Sequence, residues 1–142
     1  MYFGSCLCGT ITYEVSGLEM LTFCHCSRCR KDSGSAFATN ATVREESFRI
    51  LTGEQDLHDY SQVGGHRLSC AKCSSPLFSR RDARPGFLRL RMGCLDTSID
   101  ERPNGHYFVG SKANWHEICD ELPQHVERPP GSWPSHAGEL KR

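Results

Sequence analysis

The chain has 142 residues and a mass of 16.0 kDa, enough for one ordinary domain and not for a second full one. Leu, Ile, Val and Phe supply only 28 of those residues, close to the edge at which a chain stops burying a sufficient core, so the nine cysteines are the leading candidates for holding the fold. Lys plus Arg and Asp plus Glu balance at 17 each, which removes the net positive field that phosphate-backbone binding needs and argues against a nucleic-acid partner.

Thr10, Thr12 and Glu14 alternate with Ile11, Tyr13 and Val15, the period-2 pattern of a half-buried strand. Further short strands are expected at 21–24, 36–43, 47–52, 66–69, 77–79, 87–91 and 106–109, bounded by turn signals at Gly34, Gly53, Gly64-Gly65, Pro85-Gly86 and Pro103-Asn104-Gly105. Strands this short, spaced about ten residues apart, predict a mainly β domain. One C-terminal helix is expected: Trp115, Ile118, Cys119 and Leu122 fall at i, i+3, i+4 and i+7, after Asn114 as N-cap and before Pro123 as stop. Cys119 then reads as a core residue on the apolar stripe, and Trp115 as the helix's anchor. The folded domain is expected to span 1–125, with 126–142 a loosely attached Pro- and Gly-rich tail.

No basic n-region, short apolar run or membrane-length apolar window occurs, so a cytoplasmic location without a membrane partner is expected. In that reducing setting an odd number of cysteines favours metal thiolates over disulfides. Seven of the nine form three groups: Cys6-Leu7-Cys8, Cys24-His25-Cys26-Ser27-Arg28-Cys29 and Cys70-Ala71-Lys72-Cys73. The C-x-C and C-x-x-C pairs together supply four thiolates, the number that fills a tetrahedral structural zinc site. Cys6 and Cys73 are 67 positions apart, so the fold has to bring the pairs together. Cys24, Cys26 and Cys29 are an odd set. Three thiolates leave one tetrahedral position open to water or a substrate thiol, the pattern of a catalytic metal, unless His25 or a distant donor closes the site. His25 alternates away from its neighbours in an extended segment.

These clusters and their surroundings resemble the glutathione-dependent formaldehyde-activating enzyme family, also called the GFA or centromere-protein-V domain family. The resemblance runs through Gly4-Ser5-Cys6-Leu7-Cys8-Gly9, Cys24-His25-Cys26-Ser27-Arg28-Cys29-Arg30-Lys31 and Cys70-Ala71-Lys72-Cys73-Ser74-Ser75-Pro76. It continues in Gly93-Cys94-Leu95-Asp96 and in Ser111-Lys112-Ala113-Asn114-Trp115-His116, and covers roughly residues 4 to 125. It implies an Mss4-like fold of short antiparallel sheets around two zinc ions. Cys6, Cys8, Cys70 and Cys73 would be the structural set, and Cys24, Cys26 and Cys29 the catalytic one. The implied activity is carbon–sulfur lyase chemistry joining formaldehyde to glutathione, with glutathione as co-substrate and a small thiol–aldehyde adduct as substrate. Two positions depart from the pattern: Ser74 stands where the family usually has Gly after the second cysteine pair, and Cys94 adds a thiol.

Arg28, Arg30, Lys31, Arg67 and Lys112 are candidate anchors for glutathione's carboxylates, although most such cations are simply solvated. Two other readings compete. One is a non-catalytic binding module held together by zinc; the other is a thiol-based reductase with Cys94 as nucleophile, which needs an exposed Cys94 of low pKa and a resolving thiol.

Overall fold

Alternating β-branched and aromatic residues, punctuated by turn formers, yield ten strands and one α-helix among residues 1–129, the part described by this computed structural model. In order these are β1 (Tyr2–Ser5), β2 (Thr12–Val15), β3 (Leu21–Cys24), α1 (Ser27–Ser33), β4 (Ala38–Arg44), β5 (Phe48–Thr52), β6 (Leu57–Gln62), β7 (Gly65–Cys70), β8 (Pro76–Arg81), β9 (Phe87–Arg91) and β10 (His106–Tyr107). The expected mainly β class is what forms. The described chain builds two compact units, one from Met1–Glu19 and Ala41–Glu101, the other from Met20–Asn40 and 102–129.

In the first unit β1, β2 and β5 form an antiparallel sheet, and β6 to β9 a meander of successive antiparallel pairs. The side chains that alternate inward, among them Ile11, Tyr13, Val15, Leu68, Leu77, Leu88 and Leu90, are buried, as period-2 patterning requires. Phe48 carries the packing onward, its ring 5.2 Å from that of Tyr13 and 5.0 Å from that of Phe78. Gly4 faces Tyr13 across the β1–β2 ladder, and a Cβ there would run into the Tyr13 ring. The close approach leaves the Tyr13 hydroxyl buried with no hydrogen-bond partner. A stranded hydroxyl of this kind costs about 1–3 kcal/mol. Tyr13→Phe is therefore expected to raise stability by about 1 kcal/mol, visible as a melting temperature a few degrees higher; an unchanged or lower one would refute it.

On β7, His66 sits between two carboxylates, with Nδ1 2.8 Å from Asp59 Oδ2 and Nε2 2.9 Å from Asp82 Oδ1. Hydrogen bonds to Asp59 first and Asp82 second hold its pKa above the ordinary 6.5. The protonated ring therefore stabilises the β6–β7 hairpin fully below pH 6.5, and the contribution fades as pH rises through the elevated value. Comparing wild type with His66→Gln should show a difference of about 1 kcal/mol or less that shrinks from pH 6 to pH 8; a pH-independent difference would contradict this.

In the second unit β3 and β10 pair in parallel, Phe23 opposite His106 and Cys24 opposite Tyr107. The helix lies elsewhere than its apolar stripe predicts: α1 covers Ser27–Ser33, and no helix forms over 114–122. Pro123 and His125 instead bond to the backbone of β10, through His106 N–H to the Pro123 carbonyl at 2.8 Å and His125 N–H to the His106 carbonyl at 2.9 Å. The Asp120 carboxylate accepts from the Leu122 N–H at 3.0 Å, an Asx-type bond that competes with helical pairing. Cys119 is exposed rather than core, and Trp115 is 70% exposed rather than an anchor. Of the expected tail, Val126 is tied to Gly110 by a backbone hydrogen bond of 3.2 Å; residues 130–142 lie outside the described part. No helix among the described residues is long and apolar enough to cross a membrane.

Candidate metal centres

In the first unit the Cys6-Leu7-Cys8 segment after β1 and the turn after β7 place four cysteines together. The ligand-capable sulfurs of Cys6, Cys8, Cys70 and Cys73 all lie within 4.8 Å of one another. Cys6 and Cys8 are 3.6 Å apart, and Cys8 and Cys70 3.8 Å. These separations match the edge of about 3.8 Å in a tetrahedron whose centre is about 2.3 Å from each sulfur, so the donor set fits zinc in number, chemistry and spacing. The surroundings favour thiolates unequally. Hydrogen bonding from the Ser75 hydroxyl, then its backbone, pulls Cys73 down to about 5, and Thr10 lowers Cys8 by the same two routes; burial pushes Cys70 up to about 11.

The knuckle closes through Ser74, whose N–H bonds to the Cys70 carbonyl at 2.8 Å while Cys70 N–H bonds to the Ser75 carbonyl at 3.0 Å. Ser74 has φ 65°, the left-handed conformation glycine adopts freely and a side chain resists. The departure noted in sequence is thus a real conformational cost. Ser74→Gly is expected to stabilise the protein by about 1 kcal/mol and to slow metal loss to a chelator; faster loss would show that the serine side chain matters to the site.

In the second unit β3 delivers Cys24, and α1 delivers Cys29 with Cys26 as its N-cap, the Cys26 sulfur accepting from the Cys29 N–H at 3.3 Å. Gly34 closes the helix in the left-handed conformation. The three sulfurs lie within 4.8 Å of one another, and all three residues are buried. Hydrogen bonds with Cys26 and Cys29 hold the Cys24 thiol well above its ordinary pKa. A cation is the natural compensation for three sulfurs packed this closely, and binding it releases their protons.

His25 is not part of this cluster. Its Nε2 lies 2.8 Å from His106 Nδ1, and His106 Nε2 lies 2.9 Å from Asp120 Oδ2. The carboxylate accepts from His106 Nε2–H, and the other ring nitrogen of His106 shares a hydrogen bond with His25 Nε2. Burial keeps the His25 ring neutral, with a pKa near 4, and its Nδ1 is enclosed with no partner. Nothing in the sequence linked His106 or Asp120 to His25, because the connection runs through the parallel β3–β10 pairing.

The anchor candidates separate. Lys112 turns its ammonium onto backbone carbonyls, 3.1 Å from Ala113 O and also bonded to His116 O. Arg28, Arg30 and Lys31 lie on α1, while Arg67 lies on β7 in the first unit. Arg30 has a buried Nε without a partner. Cys94 is half-buried, its thiol 3.4 Å from the Pro76 carbonyl, and burial raises its pKa, the reverse of what a redox nucleophile needs.

The profile of the glutathione-dependent formaldehyde-activating enzyme family matches residues 1–111. The chain belongs to that family. Among solved structures it is similar to a Rhodobacter sphaeroides protein, with a TM-score of 0.59 and 24% identity over 69% of this chain and 91% of that one, a likeness of fold. No curated protein matches the chain.

Proposed function

We propose that the protein is a zinc-dependent carbon–sulfur lyase that makes and breaks the bond between the glutathione sulfur and the formaldehyde carbon, a reaction of the S-(hydroxymethyl)glutathione synthase type. The observation that carries this reading is the odd donor count of Cys24, Cys26 and Cys29, three buried sulfurs joined by no fourth His, Asp or Glu among the described residues. Zinc in a three-thiolate set supplies an open position and enough acidity to deprotonate a thiol at neutral pH.

The chain's own residues do the rest. Cys24, Cys26 and Cys29 hold the catalytic metal, while Cys6, Cys8, Cys70 and Cys73 hold a structural one. Arg30, one residue beyond Cys29 with an unpartnered buried Nε, is the anchor we favour for a glutathione carboxylate. In the forward direction a carbon–sulfur bond forms, the carbonyl π bond breaks, and the proton lost by the thiol ends on the new hydroxyl. The raised pKa of Cys94 disfavours the reductase alternative.

The test is the exchange between carbon-13 formaldehyde and its glutathione adduct at equilibrium, followed by NMR with and without the metal-loaded protein. Acceleration above the spontaneous rate, lost on chelation, supports the lyase. No acceleration by protein carrying two zinc ions returns the chain to a binding module with two structural metals.

A further inference from the structure

Phe108 follows β10 with φ 60° and ψ 40°, in the left-handed region that bulky L residues avoid. Such a backbone persists only where its surroundings over-determine it. On one side Tyr107 is paired with Cys24, and its carbonyl accepts from the His25 N–H at 2.9 Å. On the other, Val109 N–H bonds to the His125 carbonyl at 3.0 Å, Gly110 N–H to the Val126 carbonyl at 3.2 Å, and Ser111 N–H back to the Phe108 carbonyl at 3.0 Å. Gly110 is itself tightly fitted, since a Cβ there would stand 3.0 Å from Val126 Cγ1.

Glycine would occupy position 108 without this cost, so the ring accounts for what the backbone gives up. That ring packs on the cluster of Cys24, Cys26, Cys29 and Ala38, and the Arg128 guanidinium lies over it, 5.8 Å from the centroid. Cys26 is wholly enclosed, whereas Cys24 and Cys29 keep 8% and 7% of their surface; little of the cluster is open to solvent, and an apolar ring packs against it.

We infer that Phe108 is the specificity-determining wall of the three-cysteine centre: its ring keeps water from the open position and limits how much bulk an incoming ligand carries next to its donor atom. This rests on reading that cluster as a metal centre with an open fourth position. A braced ring discriminates by size where a mobile one would yield, and one or two methyl groups in such a space are worth tenfold or more in affinity.

The test uses the full chain loaded with cobalt(II), whose visible spectrum reports the ligands around it. The probes are N-acetylcysteine and N-acetylpenicillamine, which differ by two methyl groups on the sulfur-bearing carbon. Wild type is expected to prefer the smaller thiol by about tenfold or more, and Phe108→Ala by only about twofold, with Phe108→Leu in between. Phe108→Gly removes the backbone cost along with the ring, so it keeps the fold and should give the ratio of Phe108→Ala. Equal ratios in all four proteins overturn the wall and leave the thiol reading standing. Thiol binding by the Ala and Gly variants alone supports the wall and removes thiols as ligands of the wild type. No spectral response to either thiol in any of the four overturns both.

Discussion

Cys70→Ser is expected to abolish the cooperative folding of the first unit. Cys70 ends β7, is 1% exposed and shares its sulfur cluster with Cys6, Cys8 and Cys73, and a hydroxyl there is a poor zinc donor at a buried position. Structural zinc contributes about 10–16 kcal/mol to small metal-bound folds, against a net stability of about 5–15 kcal/mol for a domain. With so few large aliphatic residues in the chain, the core cannot replace that contribution. The checks are zinc content, expected to fall by one ion per chain, and thermal unfolding, expected to lose its cooperative transition. A variant that melted within a few degrees of wild type would show that the four cysteines do not bear the fold.

Cys29→Ser is expected to have the opposite signature. Cys29 lies in the first turn of α1, and its backbone N–H, not its sulfur, makes the capping bond to Cys26; a serine preserves that bond. Under the lyase reading the exchange rate should fall by at least on the order of 10²-fold, while stability changes by no more than about 1–2 kcal/mol. If stability collapsed together with activity, the three-cysteine cluster would be a second structural site and the lyase reading would lose its support.

Much of this organisation is legible in the residues, because cysteine spacing and period-2 alternation are local signals. The strands 21–24 and 87–91 form within the expected bounds, and the three sulfur groups assemble as two clusters. What the sequence conceals depends on competition or distance. Leu57–Gln62 has no inward face, five of its six residues being exposed, so β6 gives no periodicity to read. Ser27–Ser33 has no apolar stripe either; its signals are the Cys26 cap and Gly34, and both are easily taken for metal chemistry and a turn. The stripe at Trp115, Ile118, Cys119 and Leu122 is a good helical pattern that loses to Asp120, whose carboxylate bonds Leu122 N–H and His106 instead.

The two sulfur clusters differ most in how far the chain must travel to close them. Cys24, Cys26 and Cys29 lie within six consecutive residues, whereas Cys8 and Cys70 are 62 positions apart. Cross-linking a loop of that length removes conformational freedom worth about 4 kcal/mol from the unfolded chain, which makes the four-cysteine site a clasp that can be fastened only late. The three-cysteine segment needs no such closure and can capture a metal as soon as it leaves the ribosome. A ligand that also binds the unfolded chain contributes correspondingly less to stability. With a metal at each cluster, the one in the four-cysteine site would report on folding and the other would be nearly indifferent to it, and a chelator titration is expected to raise the denatured fraction only when the late clasp is emptied.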